Sequence, residues 1–314
     1  MQWERLGHIE IPMGRHTWEV SHSMAPVADP LGGDLFRVYY SARDLGGRSW
    51  TTSCVIDLAG QPRLVEPSIE PHLAPGSLGT FDDRGAVACW LVDDVSPRRM
   101  YYVGWNTGTT VPFRLAIGLA YESGDGKWEK ASDGPLLDRS QTDSIFVASC
   151  CIAHEANAWQ MWYVSCLAWE PVDGALRHRY LIKHATSLDG LSWNRNGHVA
   201  IGYQSPSEYA IARPSIIKDR ELWHMWYSYR GDRYRIGYAQ SRDGVDWTRL
   251  DNVGGLAASG MSWESDMVAY GHAFRHRGKL YMVYNGNDYG KMGFGIAQGT
   301  LPADMVSCPP NISR

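Results

Sequence analysis

Long apolar runs are missing from this chain. None reaches the roughly 18 residues that a membrane-spanning helix needs, so no membrane span is expected. Charge is sparse and nearly balanced. Asp, Glu, Lys and Arg make up 20% of the residues and the net charge is -4, so neither nucleic acid nor a membrane surface is an expected partner. Phenylalanine is scarce, with 6 residues against 14 Trp and 17 Tyr. That excess of amphipathic rings suits strands and sugar-contacting surfaces. Cysteine is scarce too. Cys54, Cys89, Cys150, Cys151, Cys166 and Cys308 show no metal-like pair spacing, and two of them are adjacent. The opening "MQWERLGHIEI" has no basic-then-apolar pattern, so the thiols read as reduced and mostly buried in a cytoplasmic protein. A P-loop, a dinucleotide fingerprint and a zinc motif are all absent, as is helical periodicity with caps.

What the chain does contain is a repeat. "VYYSAR", "MYYVGW", "MWYVSC", "MWYSYR" and "MVYNGN" each place a tyrosine third, at Tyr40, Tyr102, Tyr163, Tyr227 and Tyr284, with steps of 57 to 64 residues. Each stretch fits a strand. A further strand precedes each one, as in "GAVACWLV" and "ARPSIIK", and "IGLA", "IKHA", "IGYA" and "FGIA" follow four of them. In three units an Asp-Gly turn then leads to a tryptophan stretch, "DGKWEKASDG", "DGLSWNRNG" or "DGVDWTRLD". Asp-Gly supplies the positive φ that a tight hairpin requires. The expected fold is therefore all-β: a five-bladed β-propeller of four antiparallel strands per blade, in one domain over residues 1–314. The fifth unit stops after "FGIAQ" without a tryptophan strand, whereas the chain opens on "QWERLG". The N-terminal strand is expected to complete the last blade and close the ring, leaving neither edge unpaired.

The turns "S-x-D-G-x-x-W", with "YYVGWN", "FDDRG", "IARPS", "MWYSYRGDRYRIGYAQSRDGVDW" and "GFGIA", resemble the five-bladed propeller glycosidase superfamily. That group holds arabinanases, β-xylosidases, invertases, levansucrases and mannoside phosphorylases. The resemblance runs from Trp3 to Gln298 and is closest to an uncharacterised "glycosylase" subgroup. It implies a small carbohydrate ligand at the mouth of a central channel and cleavage of a glycosidic bond, as in polysaccharide-acting hydrolases. It also allows a Ca2+ in the channel, which the residues themselves do not indicate; no cofactor is expected from them.

The resemblance further implies three acids, one or two places before an anchor on each inner strand. With Pro26, Ala88, Cys150, Pro214 and Tyr270 as anchors, those places hold Ala25, Val87, Ser149, Arg213 and Ala269, then Met24, Ala86, Ala148, Ala212 and Val268. None is acidic. Four to six places before the anchors stand His22, the run Asp82–Asp83–Arg84, Glu208, and Glu264 with Asp266. Two carboxyl groups flanking a bond, one protonated and one ionised, are what glycoside cleavage needs. On this pattern Asp83 is the expected base or nucleophile, Glu208 the general acid and Asp266 a modulator, with His22, Asp82, Arg84 and Arg213 binding the sugar. The alternative is that these acids cap turns or form structural bridges.

A cation also recurs three residues before each third strand: Arg114, Arg179, Arg233 and Lys291, with Arg48 as the fifth. Converging on the mouth, they would favour an acidic sugar or, in a phosphorylase, phosphate. Alternatively each bridges to a loop acid, namely Asp44, Glu170, Asp232 or Asp288. Trp105, Trp169, Tyr229 and Tyr289 are candidates for stacking on sugar rings. Two functions stay open: a glycosidase, hydrolytic or phosphorolytic, and a non-catalytic sugar- or nucleotide-sugar-binding propeller that has lost the superfamily acids.

Overall fold

A computed structural model describes residues 3–124, 126–155 and 158–305; Cys308 lies outside them. The chain's regular structure is nearly all strand, with two four-residue helices and one short 3-10 turn among the described residues. It begins with β1 (Glu4–Ile9). Four successive units follow, each pairing neighbour to neighbour in antiparallel fashion. The first holds β2 (Ser21–Gly32), β3 (Leu35–Arg43), β4 (Ser49–Asp57) and β5 (Arg63–Pro67). The second holds β6 (Gly85–Val92), β7 (Arg99–Thr107), β8 (Phe113–Glu122) and β9 (Trp128–Lys130). The third holds β10 (Val147–Glu155), β11 (Ala158–Val172), β12 (Ala175–Ser187) and β13 (Val199–Ile201). The fourth holds β14 (Ala210–Asp219), β15 (Leu222–Arg230), β16 (Tyr234–Ser241) and β17 (Thr248–Arg249). The last sheet has the order β1, β20 (Phe294–Gly299), β19 (Lys279–Asn285), β18 (Ala269–His276). In it Glu4 stands opposite Gln298 and Ile9 opposite Phe294, so the earliest strand pairs with the latest.

The first strands of the units pack on one another in the order β2, β6, β10, β14, β18 and back to β2. The second strands sit between neighbouring sheets and are buried on both faces, so they read as apolar runs rather than alternations. The five described cysteines are buried and free. No helix among the described residues is long and apolar enough to cross a membrane. Two details differ from the sequence reading. "LSWNRNG" is not a strand: it contributes only the isolated Thr186–Asn194 bridge, because the Asp189 carboxylate accepts the backbone N–H groups of Leu191 and Ser192 and holds a turn. The fourth strand of that unit is β13 instead.

The repeated tyrosines define the interior. All five are almost fully buried, and a buried phenol needs a hydrogen-bond partner. Each finds a carboxylate. Tyr40 donates to Glu19 (2.7 Å), Tyr102 to Asp82 (3.1 Å), Tyr163 to Asp143 (3.0 Å), Tyr227 to Asp251 (2.5 Å) and Tyr284 to Glu264 (2.9 Å). Each carboxylate in turn meets a cation: Arg15 on Glu19, Lys130 on Asp82, Lys183 and Arg195 on Asp143, Arg249 on Asp251, and Arg5 on Glu264. The same tyrosine–carboxylate–cation relay thus recurs in every unit.

Trp3 anchors β1. It is buried, donates from Nε1 to the Gly254 carbonyl at 2.9 Å and meets Trp226 edge-on at 5.9 Å. Trp3→Ala is expected to cost about 3–5 kcal/mol, the range for deleting a buried aromatic side chain, read as a large drop in melting temperature. An unchanged melting temperature would show that β1 is dispensable.

Buried histidines give the fold a pH dependence. His272 accepts the Ala28 N–H at Nδ1, and burial followed by the nearby Arg213 charge pushes its pKa down to about 3. His72, His184 and His224 are pushed down to about 4, chiefly by burial. Between these values and about 6.5 the unfolded chain binds protons that the folded chain refuses, so stability falls as pH falls. Melting temperature should decline steadily from pH 6.5 towards 4. His272→Gln, whatever its effect at neutral pH, should show a shallower slope.

Candidate functional site

A cavity of about 340 Å³ opens where the five first strands come together. Each contributes one residue near its own break in register: Ala25, Val87, Ser149, Arg213 and Tyr270. The breaks are β-bulges, which re-aim side chains and are common beside functional sites. Four of these residues hold positive φ: Ala25 57°, Ser149 30°, Arg213 55° and Tyr270 57°. Tyr289, which overhangs the cavity from the loop after β19, does so as well at 56°. Non-glycine residues in this region carry backbone strain that the surrounding packing must hold in place.

The wall is aromatic and apolar, with Trp105, Phe113 and Phe146 on one side and Tyr180, Tyr234, Tyr270 and Tyr289 on another. Tyr180 and Tyr234 share a hydrogen bond of 2.6 Å between their hydroxyls. No carboxylate lines the cavity, but two arginines do. Arg213 is almost fully buried and donates to the carbonyls of Ala88 (3.1 Å), Ala25 (3.0 Å) and Pro26 (3.2 Å). It therefore ties the fourth unit to the first and second across the centre. Burial pulls its pKa down, and no ion pair balances its charge among the described residues. Arg43 ends β3 with Nε buried and unpartnered, and Nη2 donates to the Met24 sulfur at 4.0 Å. Beside it His22 is held at a pKa of about 4 by burial, then by the charges of Arg43 and Lys291, so it is neutral near pH 7.

The expected acids are elsewhere. Asp82 is buried in the second relay, where it also accepts from Thr80. Glu208 is paired with Arg249 through two contacts, 2.7 and 3.1 Å, and accepts the Gln204 N–H. Arg249 links it to Asp251, so Glu208 belongs to the fourth relay. Asp266 is exposed, and only its backbone N–H is engaged, by Asn287. Asp83 accepts the Gly79 N–H at Oδ2 while Oδ1 is buried without a partner. Asp83, Glu208 and Asp266 are not brought together, and none lines the cavity. The structural bridges given as the alternative are present for Glu208, with Arg249, and for Asp82, with Lys130. Arg84 instead donates to the Gly46 carbonyl and lies over Trp105.

The recurrent cations do not converge either. Arg48 pairs with Asp44 at 2.8 Å, Arg179 with Glu170 at 3.6 Å and Arg233 with Asp232 at 3.4 Å, each within its own loop region. Arg114 and Lys291 are exposed at the rim, and none of the five lines the cavity. Of the aromatic candidates, Trp105 and Tyr289 line it. Trp169 packs on Phe113 and Phe146, and Tyr229 sits under Arg249. Arg43, His178, Tyr180 and Tyr234 went unread in the sequence. Arg43 carried a signal: it stands three residues after Tyr40, the place that Trp105 takes after Tyr102. A Ca2+ does not fit this cavity, because a hard cation needs oxygen ligands, carboxylates above all, and the lining offers none. Among the described residues no cluster of three or more His, Cys, Asp or Glu could hold a metal.

The chain is 36% identical to "Uncharacterized protein MT1551" of Mycobacterium tuberculosis strain CDC 1551 / Oshkosh over 297 residues, covering 95% of this chain and 99% of that protein. It is equally similar to "Uncharacterized protein Rv1502" of strain ATCC 25618 / H37Rv. The chain belongs to their family. No family model matches it. Among solved structures, a glycoside hydrolase superposes with a TM-score of 0.73 at 18% identity, covering 98% of this chain and 94% of that one. A thermostable family-43 glycoside hydrolase gives 0.63 at 18%, covering 92% and 91%. The Bombyx mori GH32 β-fructofuranosidase BmSUC1 gives 0.66 at 15%, covering 96% and 63%. These likenesses show the fold: a β-propeller of the glycosidase type.

Because Glu208 serves a relay, Glu208→Gln should destabilise the protein. It leaves Arg249, itself only 5% exposed at the side chain, short of one of its two carboxylates. Removing one partner of a buried pair costs about 3–5 kcal/mol. The melting temperature should fall clearly, whereas Asp266→Asn, at an exposed side chain, should leave it unchanged. The reverse order would overturn the assignment.

Proposed function

We propose that this protein is a carbohydrate-binding propeller whose central cavity takes an anionic sugar and does not cleave it through a carboxylate pair. The observation that carries the reading is the cavity itself, with Arg43 and Arg213 uncompensated and no carboxylate on the lining. A guanidinium without a carboxylate partner at a partly desolvated site favours a bound anion, and its planar fork matches a carboxylate or phosphate. Trp105 and the tyrosine wall offer flat, amphipathic surface for a sugar ring. The glycosidase-type fold supports a carbohydrate ligand: a mutant of one structural neighbour, the silkworm β-fructofuranosidase, is described in complex with sucrose. We take the five four-stranded units as the five blades of a single domain, closed as a ring by β1. The buried free thiols fit a reducing compartment, and we place the protein in the cytoplasm.

One observation favours a second reading, an enzyme acting on a glycosidic bond by hydrolysis or phosphorolysis. Asp83 holds a buried carboxylate oxygen with no partner, as an acid reserved for chemistry would. On that reading Asp83→Asn lowers turnover by about a hundredfold or more. Absence of glycosidase activity across aryl glycosides and oligosaccharides supports the binding protein.

Ligands that bind only the folded form raise its melting temperature. Uronic acids and sugar phosphates should therefore stabilise the protein while neutral hexoses do so weakly. The effect should shrink as salt rises, since accessible charges are screened over about 8–10 Å at physiological ionic strength. Arg43→Met should weaken an acidic sugar by about 1.5–3 kcal/mol, the scale of a hydrogen bond to a charged group, and leave a neutral analogue almost unaffected. Equal loss for both ligands, or no stabilisation by any anionic sugar, would refute the reading.

A further inference from the structure

Next to the cavity, on the side of the third and fourth units, lies a second group of cations. Arg177 comes from β12 and Arg230 from the end of β15, and both guanidiniums lie over the buried ring of Tyr209, at 4.4 and 5.5 Å. Arg230 also lies over Tyr234 at 5.2 Å and donates to the Tyr289 hydroxyl at 3.3 Å, and both of these rings line the cavity. Its Nε is buried without a partner, and so is that of Arg177. No carboxylate pairs with Arg230 among the described residues. Arg177 has only Glu170, at 3.5 Å, and shares it with Arg179 at 3.6 Å. Two guanidiniums therefore share one carboxylate, and that of Arg230 has none. His178 sits among them on the cavity wall, and burial, then Arg230, then Arg177, push its pKa down to about 4. Like charges gathered at a partly buried place disfavour the empty site and are relieved by an anion.

We propose that Arg177, Arg230 and His178 form a phosphate subsite at the edge of the cavity, so that the anionic sugar is a glycosyl phosphate, its sugar inside the cavity and its phosphoryl group between the two guanidiniums. This rests on the sugar-binding reading above. The choice of phosphate over carboxylate follows from the number of donors. A carboxylate is satisfied by one guanidinium fork, whereas a phosphoryl group brings close to two negative charges and three open oxygens. Two guanidiniums, neither holding a carboxylate of its own, match the larger group. The positions also correspond: Arg230 stands three residues after Tyr227 as Arg43 stands three after Tyr40. One repeat position thus supplies a cation on each of two sides of the cavity, one beside His22 and one beside His178.

The test is isothermal titration of the full-length protein with inorganic phosphate, a panel of hexose 1-phosphates, and the matching neutral hexoses and uronic acids. Inorganic phosphate should bind saturably, and at least one hexose 1-phosphate should bind more tightly than phosphate or its own hexose. Arg230→Met and Arg177→Met should each weaken phosphate roughly tenfold or more, the scale of a lost charged hydrogen bond. Arg233→Met, at an exposed cation held by Asp232, should change it by less than twofold. Melting without ligand checks each fold, and Arg177→Met, on the more exposed side chain, carries the test if Arg230→Met unfolds. Wild-type phosphate affinity in both variants, an equal loss in Arg233→Met, or no saturable phosphate binding overturns the subsite. Sugar or uronate binding that survives such a failure leaves the sugar-binding reading standing. Phosphate binding that needs Arg230 while no sugar binds keeps the subsite and removes that reading.

Discussion

The structure depends on satisfying five phenol hydroxyls that packing has removed from water. A tyrosine on the second strand of each unit is pressed between neighbouring sheets, where an unbonded O–H costs about 1–3 kcal/mol. A carboxylate from the connecting segments accepts that hydrogen bond, and taking a carboxylate inside requires a cation in turn. Arg5, Arg15, Lys130, Lys183 with Arg195, and Arg249 are therefore consequences of where the tyrosines sit. The relay also crosses distances in sequence: Arg5, on the first strand, neutralises Glu264 just ahead of the last unit. Each relay pins a connecting segment to the strand beneath it.

This arrangement shapes the site by subtraction. Glu19, Asp82, Asp143, Glu208, Asp251 and Glu264 are already bonded in relays, and the first strands line the cavity with Ala25, Val87, Ser149, Arg213 and Tyr270. Negative charge is thus kept out of the cavity while Arg43 and Arg213 stay uncancelled within it. A fold shared with glycoside hydrolases holds, at its centre, two arginines and no carboxylate. The fold alone does not decide between chemistries; the sign of the charge at the axis does more.

Much of this was legible in the sequence. The spacing of the tyrosines marked the units, and the missing last tryptophan strand pointed to "WERLG" as the partner of β20, where β1 does pair. The lack of acids at the axial positions was read correctly as well. The acids a few places earlier were harder, since position alone suits either a catalyst or a brace. Yet the deciding signal was present. Glu19, Asp82, Asp143 and Glu264 stand 21, 20, 20 and 20 residues before the tyrosines that they accept from. An acid repeated in register with a core residue belongs to the scaffold. Three of the five cations at the starts of the third strands, Arg48, Arg179 and Arg233, pair with nearby acids, which repetition alone could not distinguish from convergence. The bulges had no sequence mark, and a single inserted residue reverses which side chains face the axis. Tyr180 and Tyr234 emerged only from the coordinates, whereas the place of Arg43, three residues after Tyr40, was open to reading.

The pairing of Glu4 with Gln298 also bears on how the protein is made. A ribosome adding about 5–20 residues per second releases β1 roughly 15–60 seconds before β20. Throughout that interval the nascent chain carries a strand whose ladder partner does not yet exist, with Trp3 out in solvent. The four intervening sheets can assemble in order of synthesis, but the last sheet lacks its fourth strand until β1 pairs with β20. A chaperone that shields this leading segment, or a pause late in translation, would act at the one step where premature pairing with another chain competes directly with completion.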